Sequence, residues 1–115
     1  MKTKILLLLL VTTLLTSCQG QTSKSLQTLD TKTYSEKIKS TENPQLIDVR
    51  TPEEYASEHI DFAKNINWNG DNFVAQVEKL DKTKPVFVYC KVGGRSSQAA
   101  NKLSELGFKE IYNLD

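Results

Sequence analysis

Beyond the first two dozen residues, apolar positions fall in short clusters whose spacing alternates between two periods. Leu26-Gln27-Thr28-Leu29 fits a short strand. Tyr34 and Ile38, four apart, share one face of a helix that Asp30 or Thr31 can cap through a side-chain oxygen. Leu46-Ile47-Asp48-Val49 is a compact apolar run of the kind buried inside a parallel sheet. Thr51-Pro52-Glu53-Glu54 then reads as a helix start. Threonine caps, proline takes the first position where no N–H is needed, and glutamate closes a capping box before Tyr55 and Ala56. Asn65-Ile66-Asn67 suits another short strand and Asn69-Gly70-Asp71 a turn, while Phe73, Val74, Val77 and Leu80 mark one helical face. Pro85-Val86-Phe87-Val88-Tyr89 is the strongest strand pattern, with β-branched and aromatic residues and its proline only at the start. Ala99, Ala100, Leu103 and Leu106 form the apolar face of a helix that Gly107 stops, and residues 109–112 form a last strand. Such alternation predicts an α/β domain with a mainly parallel sheet over residues 26–115.

The residues before it follow a different rule. Lys2 and Lys4 precede an unbroken apolar run over residues 5–11, and Thr12, Thr13, Leu14 and Leu15 follow. That run is shorter than the roughly 20 apolar residues a membrane-spanning helix needs. Residues 1–17 therefore read as a secretory signal peptide. Leu15-Thr16-Ser17-Cys18 resembles the bacterial lipobox. The resemblance implies cleavage before Cys18, fatty acylation of its sulfur and a membrane anchor, since two or three acyl chains hold stably where one does not. Residues 18–25 are then the lipidated N-terminus and a polar tether. Gln19 stands where an aspartate would signal inner-membrane retention, so the resemblance implies the periplasmic side of the cell envelope, at the outer membrane.

Charge removes one class of partner. The chain has 15 basic and 14 acidic residues, a net of +1; without Lys2 and Lys4 the balance is 13 against 14, a net of −1. A near-neutral chain has no electrostatic case for binding nucleic acid. There are two cysteines. With Cys18 lipidated, Cys90 is left without an intramolecular partner, so in an oxidising compartment it is either buried and inert or kept for its reactivity.

The surroundings of Cys90 favour reactivity. It ends the strongest strand and heads the loop Cys90-Lys91-Val92-Gly93-Gly94-Arg95, with Ser96 next. Ligands of open α/β sheets bind beyond the carboxyl ends of the strands. Gly93 and Gly94 let successive N–H groups turn inward as an anion-binding nest, and a helix starting near Arg95 adds its positive end. Lys91 and Arg95 add two cations, so the thiol is expected to ionise below the usual value of about 8.5.

Leu46-Ile47-Asp48-Val49-Arg50, Glu54-Tyr55, His59-Ile60, Asn65-Ile66 and Val88-Tyr89-Cys90 through Arg95-Ser96-Ser97 resemble the single-domain rhodanese family of sulfurtransferases. Ala99-Ala100, Leu103, Gly107-Phe108 and Tyr112-Asn113-Leu114 continue the likeness. The resemblance implies a three-layer rhodanese-like fold and a catalytic Cys90. That residue would take sulfane sulfur from thiosulfate or a persulfide, hold it as a cysteine persulfide and pass it to a thiol or cyanide. It further implies that the backbone amides of Lys91, Val92, Gly93, Gly94 and Arg95 stabilise the persulfide, and that the Lys91 and Arg95 side chains attract an anionic donor. Phosphatases and arsenate reductases of related fold place five residues between cysteine and arginine. Here four separate Cys90 from Arg95, a tighter ring that suits a single sulfur. A binding or sulfur-relay module without turnover is the other alternative.

Asp48 and Arg50 are expected on the same sheet edge, supporting the loop through a local salt bridge rather than contacting substrate. His59 is expected to make structural hydrogen bonds, and Glu54 to serve its capping box. Trp68 either lines the cleft or closes the core. No cluster has metal-ligand spacing, so neither a metal nor another cofactor is expected. Three places depart from the family pattern. Glu58 replaces a glycine before the histidine, and Asp61-Phe62 replaces a proline-glycine turn at what would be the rim. The chain also ends at Asp115, where family members continue with two glycines, a tryptophan and a closing helix. The resemblance thus implies a C-terminally truncated domain with one thinly covered sheet face.

Overall fold

Val86, Phe87, Val88 and Tyr89 are all buried, which a strand achieves only when both faces of its sheet are covered. In the computed structural model, which describes residues 25–115, this run is the centre of a five-stranded sheet. The segment read as a signal peptide, Cys18 and the expected tether up to residue 24 lie outside the described residues. The elements follow in the order β1 (Leu26–Leu29), α1 (Thr31–Ser40), β2 (Gln45–Asp48), α2 (Pro52–Ser57), β3 (Lys64–Asn65), α3 (Phe73–Val77), β4 (Val86–Tyr89), α4 (Gly94–Glu105) and β5 (Ile111–Leu114). All pairings are parallel, in the order β1-β5-β4-β2-β3. From β2 the chain moves outward to β3, and from β4 it moves the other way to β5. The connections therefore diverge at the β2/β4 seam, the position where such sheets open a crevice at their carboxyl ends.

Alternate side chains feed two cores. Ile47, Val86, Val88 and Ile111 pack with Phe73 and Val77 of α3 and Ala99, Ala100 and Leu103 of α4. The two alanines of α4 let that helix approach the sheet closely. On the opposite face Leu46, Phe87, Tyr89 and Tyr112 pack against Tyr34 of α1. Tyr34 meets Phe87 edge-on at 5.6 Å and its hydroxyl donates to Val88 O at 3.1 Å. Beside α1 this face keeps an open groove lined by Tyr34, Ile38, Ile60 and Leu114.

Local signals act where they stand. The Asp30 side chain caps α1 by accepting from Thr33 N–H. Thr51 and Glu54 form the reciprocal capping box of α2. At the end of α4, Gly107 takes φ +95°, Phe108 N–H donates to Leu103 O at 3.1 Å and Gly107 N–H to Ser104 O at 3.1 Å; this double closure of a helix end needs a residue tolerant of left-handed backbone.

Boundaries differ from expectation in three places. β3 is Lys64–Asn65 alone, with the buried Ile66 just beyond it. β5 starts at Ile111 because residues 107–110 are still closing the helix and crossing to the sheet. α3 stops at Val77, so Phe73 and Val77, four apart, face the core while Val74 is 42% exposed. Two of the departures from the family pattern also resolve. Glu58 is extended (φ −165°), a conformation that needs no glycine. Phe62 is left-handed (φ +70°) and 95% exposed. It borders a cavity with Asn43 and Pro44, which precede β2 at the amino pole of the sheet, so it does not shape the rim near Cys90. No helix of the described residues is long and apolar enough to cross a membrane.

Candidate active site

Asp48 and Tyr89 are register partners at the ends of β2 and β4, which brings the segments after them, with Arg50 and Cys90, side by side at the carboxyl pole. Cys90 itself is half-buried. The loop leaves β4 and reverses at Gly93, whose φ is +89°. A Cβ there would meet nothing within 4 Å, so the glycine is required by backbone conformation and not by space.

The reversal aims donors at the sulfur. Gly93 N–H lies 3.0 Å from Cys90 Sγ, Ser96 N–H 3.3 Å and Ser96 Oγ 3.3 Å. Ser96 is fully buried, and its hydroxyl also reaches Gly93 O at 3.2 Å. The hydroxyl can accept from the thiol, or rotate to donate to the thiolate once the proton has left. Burial pushes the Cys90 thiol up, but the Ser96 hydroxyl and the amides of Ser96, Gly93 and Val92 outweigh it and hold its pKa below the ordinary value. The N-terminus of the twelve-residue α4 acts in the same direction.

The cations are arranged differently from expectation. Arg95 turns away from solvent onto Glu54, with Nη1 2.7 Å from Oε1 and Nη2 3.1 Å from Oε2. Glu54 is thus more than a capping residue: the Arg95 guanidinium, with help from Thr51, draws its carboxyl down to about 2. Asp48 is wholly buried and grips Arg50, accepting from Nε at 3.0 Å and Nη2 at 2.7 Å, and from the Arg50 backbone N–H at 2.9 Å. This hydrogen-bonded partner raises the Arg50 pKa further. Arg50 Nη2 also donates to Glu58 O at 2.7 Å, tying the 58–60 segment over the cleft. Tyr89 fastens the same segment by accepting from Ile60 N–H at 3.0 Å, and burial pushes its phenol up to about 12. Of the expected cations only Lys91 is exposed and without an ion pair among the described residues.

The result is a cavity of about 320 Å³ lined by Arg50, Glu58, His59, Ile60, Tyr89 and Cys90. A second opening beside it is bordered by Arg50, Glu53, Glu54, Glu58 and Lys91. His59 stacks flat on Tyr55 with centroids 3.7 Å apart and sets Nδ1 2.8 Å from Tyr55 O, so its Nδ1 carries the proton. Trp68 meets Phe73 edge-on at 4.9 Å and donates to Gln98 Oε1 at 3.1 Å, closing the core above α4. Among the described residues no three His, Cys, Asp or Glu side chains could together hold a metal ion.

Chemically, the arrangement offers one sulfur whose ionisation is favoured, met by two inward amides and the Ser96 hydroxyl at the mouth of a small cleft. Ser96, the Tyr89 hydroxyl and the second role of Glu54 escape sequence reasoning. A serine in the first turn of a helix hints at a local hydrogen bond. The other two reach residues 29 and 41 positions away, beyond any local pattern.

Comparison with known proteins agrees with this fold. A family model described as a rhodanese-like domain matches residues 30–115. The thiosulfate sulfurtransferase GlpE of Coxiella burnetii is 42% identical over 69 residues, 60% of this chain and 63% of that protein. The thiosulfate sulfurtransferase PspE of Escherichia coli is 40% identical over 67 residues, 58% of this chain and 64% of that one. The chain thus spans a little under two thirds of these curated relatives. A protein of Staphylococcus saprophyticus, SSP1007, superposes with a TM-score of 0.68 at 26% identity over 77% of this chain and 86% of its own. An Escherichia coli structure described as rhodanese with anions superposes with a TM-score of 0.52 at 39% identity over 61% and 82%.

Proposed function

For a chain that belongs to the rhodanese-like domain family, we propose the work of an exported sulfurtransferase acting through a Cys90 persulfide. The Cys90 thiolate attacks the sulfane sulfur of a donor; a new Sγ–S bond forms and the donor's sulfur bond breaks. With thiosulfate, sulfite leaves with the bonding electron pair and the enzyme keeps –S–S⁻. A thiol acceptor or cyanide then attacks the outer sulfur, and the thiolate of Cys90 leaves. No external oxidant or reductant is needed in either half.

The observation that carries this reading is the pair of amides at 3.0 and 3.3 Å, with the Ser96 hydroxyl at 3.3 Å, around Sγ. They favour an anion at the sulfur before attack and on the persulfide after it. The four-residue gap between Cys90 and Arg95 supports sulfur over phosphate chemistry, because a larger oxyanion needs a wider ring. The decisive experiment is intact mass after incubation with thiosulfate. One added sulfur that disappears with cyanide, and never forms in Cys90→Ser, supports the reading; no adduct from thiosulfate or any persulfide sinks it.

The same proposal places the protein in the cell envelope, held by acyl chains on Cys18. Its support is the lipobox-like Leu15-Thr16-Ser17-Cys18 after a short charged and apolar leader. Cys18→Ser should move the protein from the membrane to the soluble fraction, and unchanged fractionation removes the anchor from the proposal.

A further inference from the structure

Apart from Lys91, the positive groups around Cys90 are already engaged. The loop amides point at Sγ itself, Arg50 is bound by Asp48 and Arg95 by Glu54. Setting these pairs aside leaves Lys91, Glu53 and Glu58 among the charged residues that border the openings. None of the three forms an ion pair among the described residues. Glu58 borders both openings, one of them shared with Cys90. The mouth also shows apolar surface: Ile60, 40% exposed, lines the cleft.

We propose that this cleft selects organic persulfides whose non-reacting end is neutral or cationic over small anionic donors, with Glu58 as the specificity-determining residue. The proposal rests on the sulfur-transfer reading and names its substrate class. Thiosulfate is a dianion and releases another dianion, sulfite, into a mouth whose unpaired side chains sum to a negative charge. A persulfide carries at most one negative charge beyond that of R, none in its reactive R–S–SH form, and its carbon chain can lie on Ile60. The transfer balances: the Cys90 thiolate bonds to the outer sulfur, the S–S bond breaks, R–S⁻ leaves with the pair, and the proton stays on the transferred sulfur.

One unit of like charge about 8 Å away in a water-like medium slows approach roughly twofold to threefold. The charge test therefore uses the full chain and two methanethiosulfonate reagents of similar size, one bearing trimethylammonium and one sulfonate. Labelling is read at Cys90 by peptide mass and normalised to a neutral low-molecular-weight thiol. At low ionic strength the cation should label Cys90 about fivefold faster. The ratio should fall toward one in high salt, shrink in Glu58→Gln and widen in Lys91→Gln. Equal or faster labelling by the sulfonate, or a ratio untouched by Glu58→Gln, overturns the proposal.

A matched pair of donors then reads selection in the reaction, with cysteamine persulfide expected to load Cys90 faster than 2-mercaptoethanesulfonate persulfide. The reverse order overturns it as well. If neither donor loads sulfur, the sulfur-transfer reading fails on its own, and the labelling ratio still decides whether the mouth selects by charge.

Discussion

Glu54 and Arg95, 41 positions apart, close on each other through two parallel contacts of 2.7 and 3.1 Å. One residue closes the capping box of α2 and the other opens α4 directly after the thiol loop, so the pair fixes the loop against a second element. A two-pronged pair of this kind holds geometry that a lysine cannot reproduce. The Glu54 carboxyl is drawn from 4.5 down to about 2. Its folded pKa lies below its unfolded one, so the pair stabilises fully above about pH 4.5 and its contribution fades as pH falls toward 2. Glu54→Gln should therefore lower the urea midpoint at pH 7 and approach wild type by pH 2.5. A gap of constant size at both pH values would show that the pair adds nothing.

Cys90 alkylation by iodoacetamide should follow a single ionisation with its inflection below that of an ordinary cysteine, because the amides and the Ser96 hydroxyl favour the thiolate. Ser96→Ala removes the hydroxyl and keeps the amide. Its inflection should move upward and its rate at pH 7 should fall. A profile that superposes on wild type would remove the hydroxyl from the account.

Asp48 is entirely buried and its charge is matched by Arg50. Removing one partner leaves the other without compensation, at a cost of about 3–5 kcal/mol. Asp48→Ala should show that loss in chemical denaturation. The double variant Asp48→Leu with Arg50→Met should recover much of the stability, since apolar side chains of similar size need no partner. A double variant as unstable as the single one would place the loss in packing instead.

Phe62 holds left-handed backbone with its side chain almost wholly in solvent. A bulky residue there is strained by about 1–3 kcal/mol, and glycine escapes the strain at some cost in unfolded-state entropy. Phe62→Gly should raise stability by about 1 kcal/mol, and Phe62→Val should lower it because β-branching worsens the same conformation. Stability lost in Phe62→Gly would mean that the ring makes contacts its exposure denies.

What could be read from the residues alone follows the range of the interaction. The capping box at Thr51, the Asp30 cap, the glycine closure at Gly107 and the strand ending at Tyr89 are local patterns, and each forms where its pattern lies. The thiol loop was legible for the same reason, since its strand, glycines and helix are contiguous. The ends of β3 and β5 were not, because a short strand ends where its neighbour ends, and that neighbour is distant in sequence. The pairing of Arg95 was hidden behind its simpler description as a free cation. Only the approach of α2 to the thiol loop reveals that its charge is already matched.

A sheet whose strands all run one way has a head and a foot. The chain enters at the foot, where β1 begins at Leu26, and Cys90 sits at the head, beyond the end of β4. Four residues of strand separate these poles by about 13 Å. The anchor proposed at Cys18 would thus join the domain from the pole opposite Cys90.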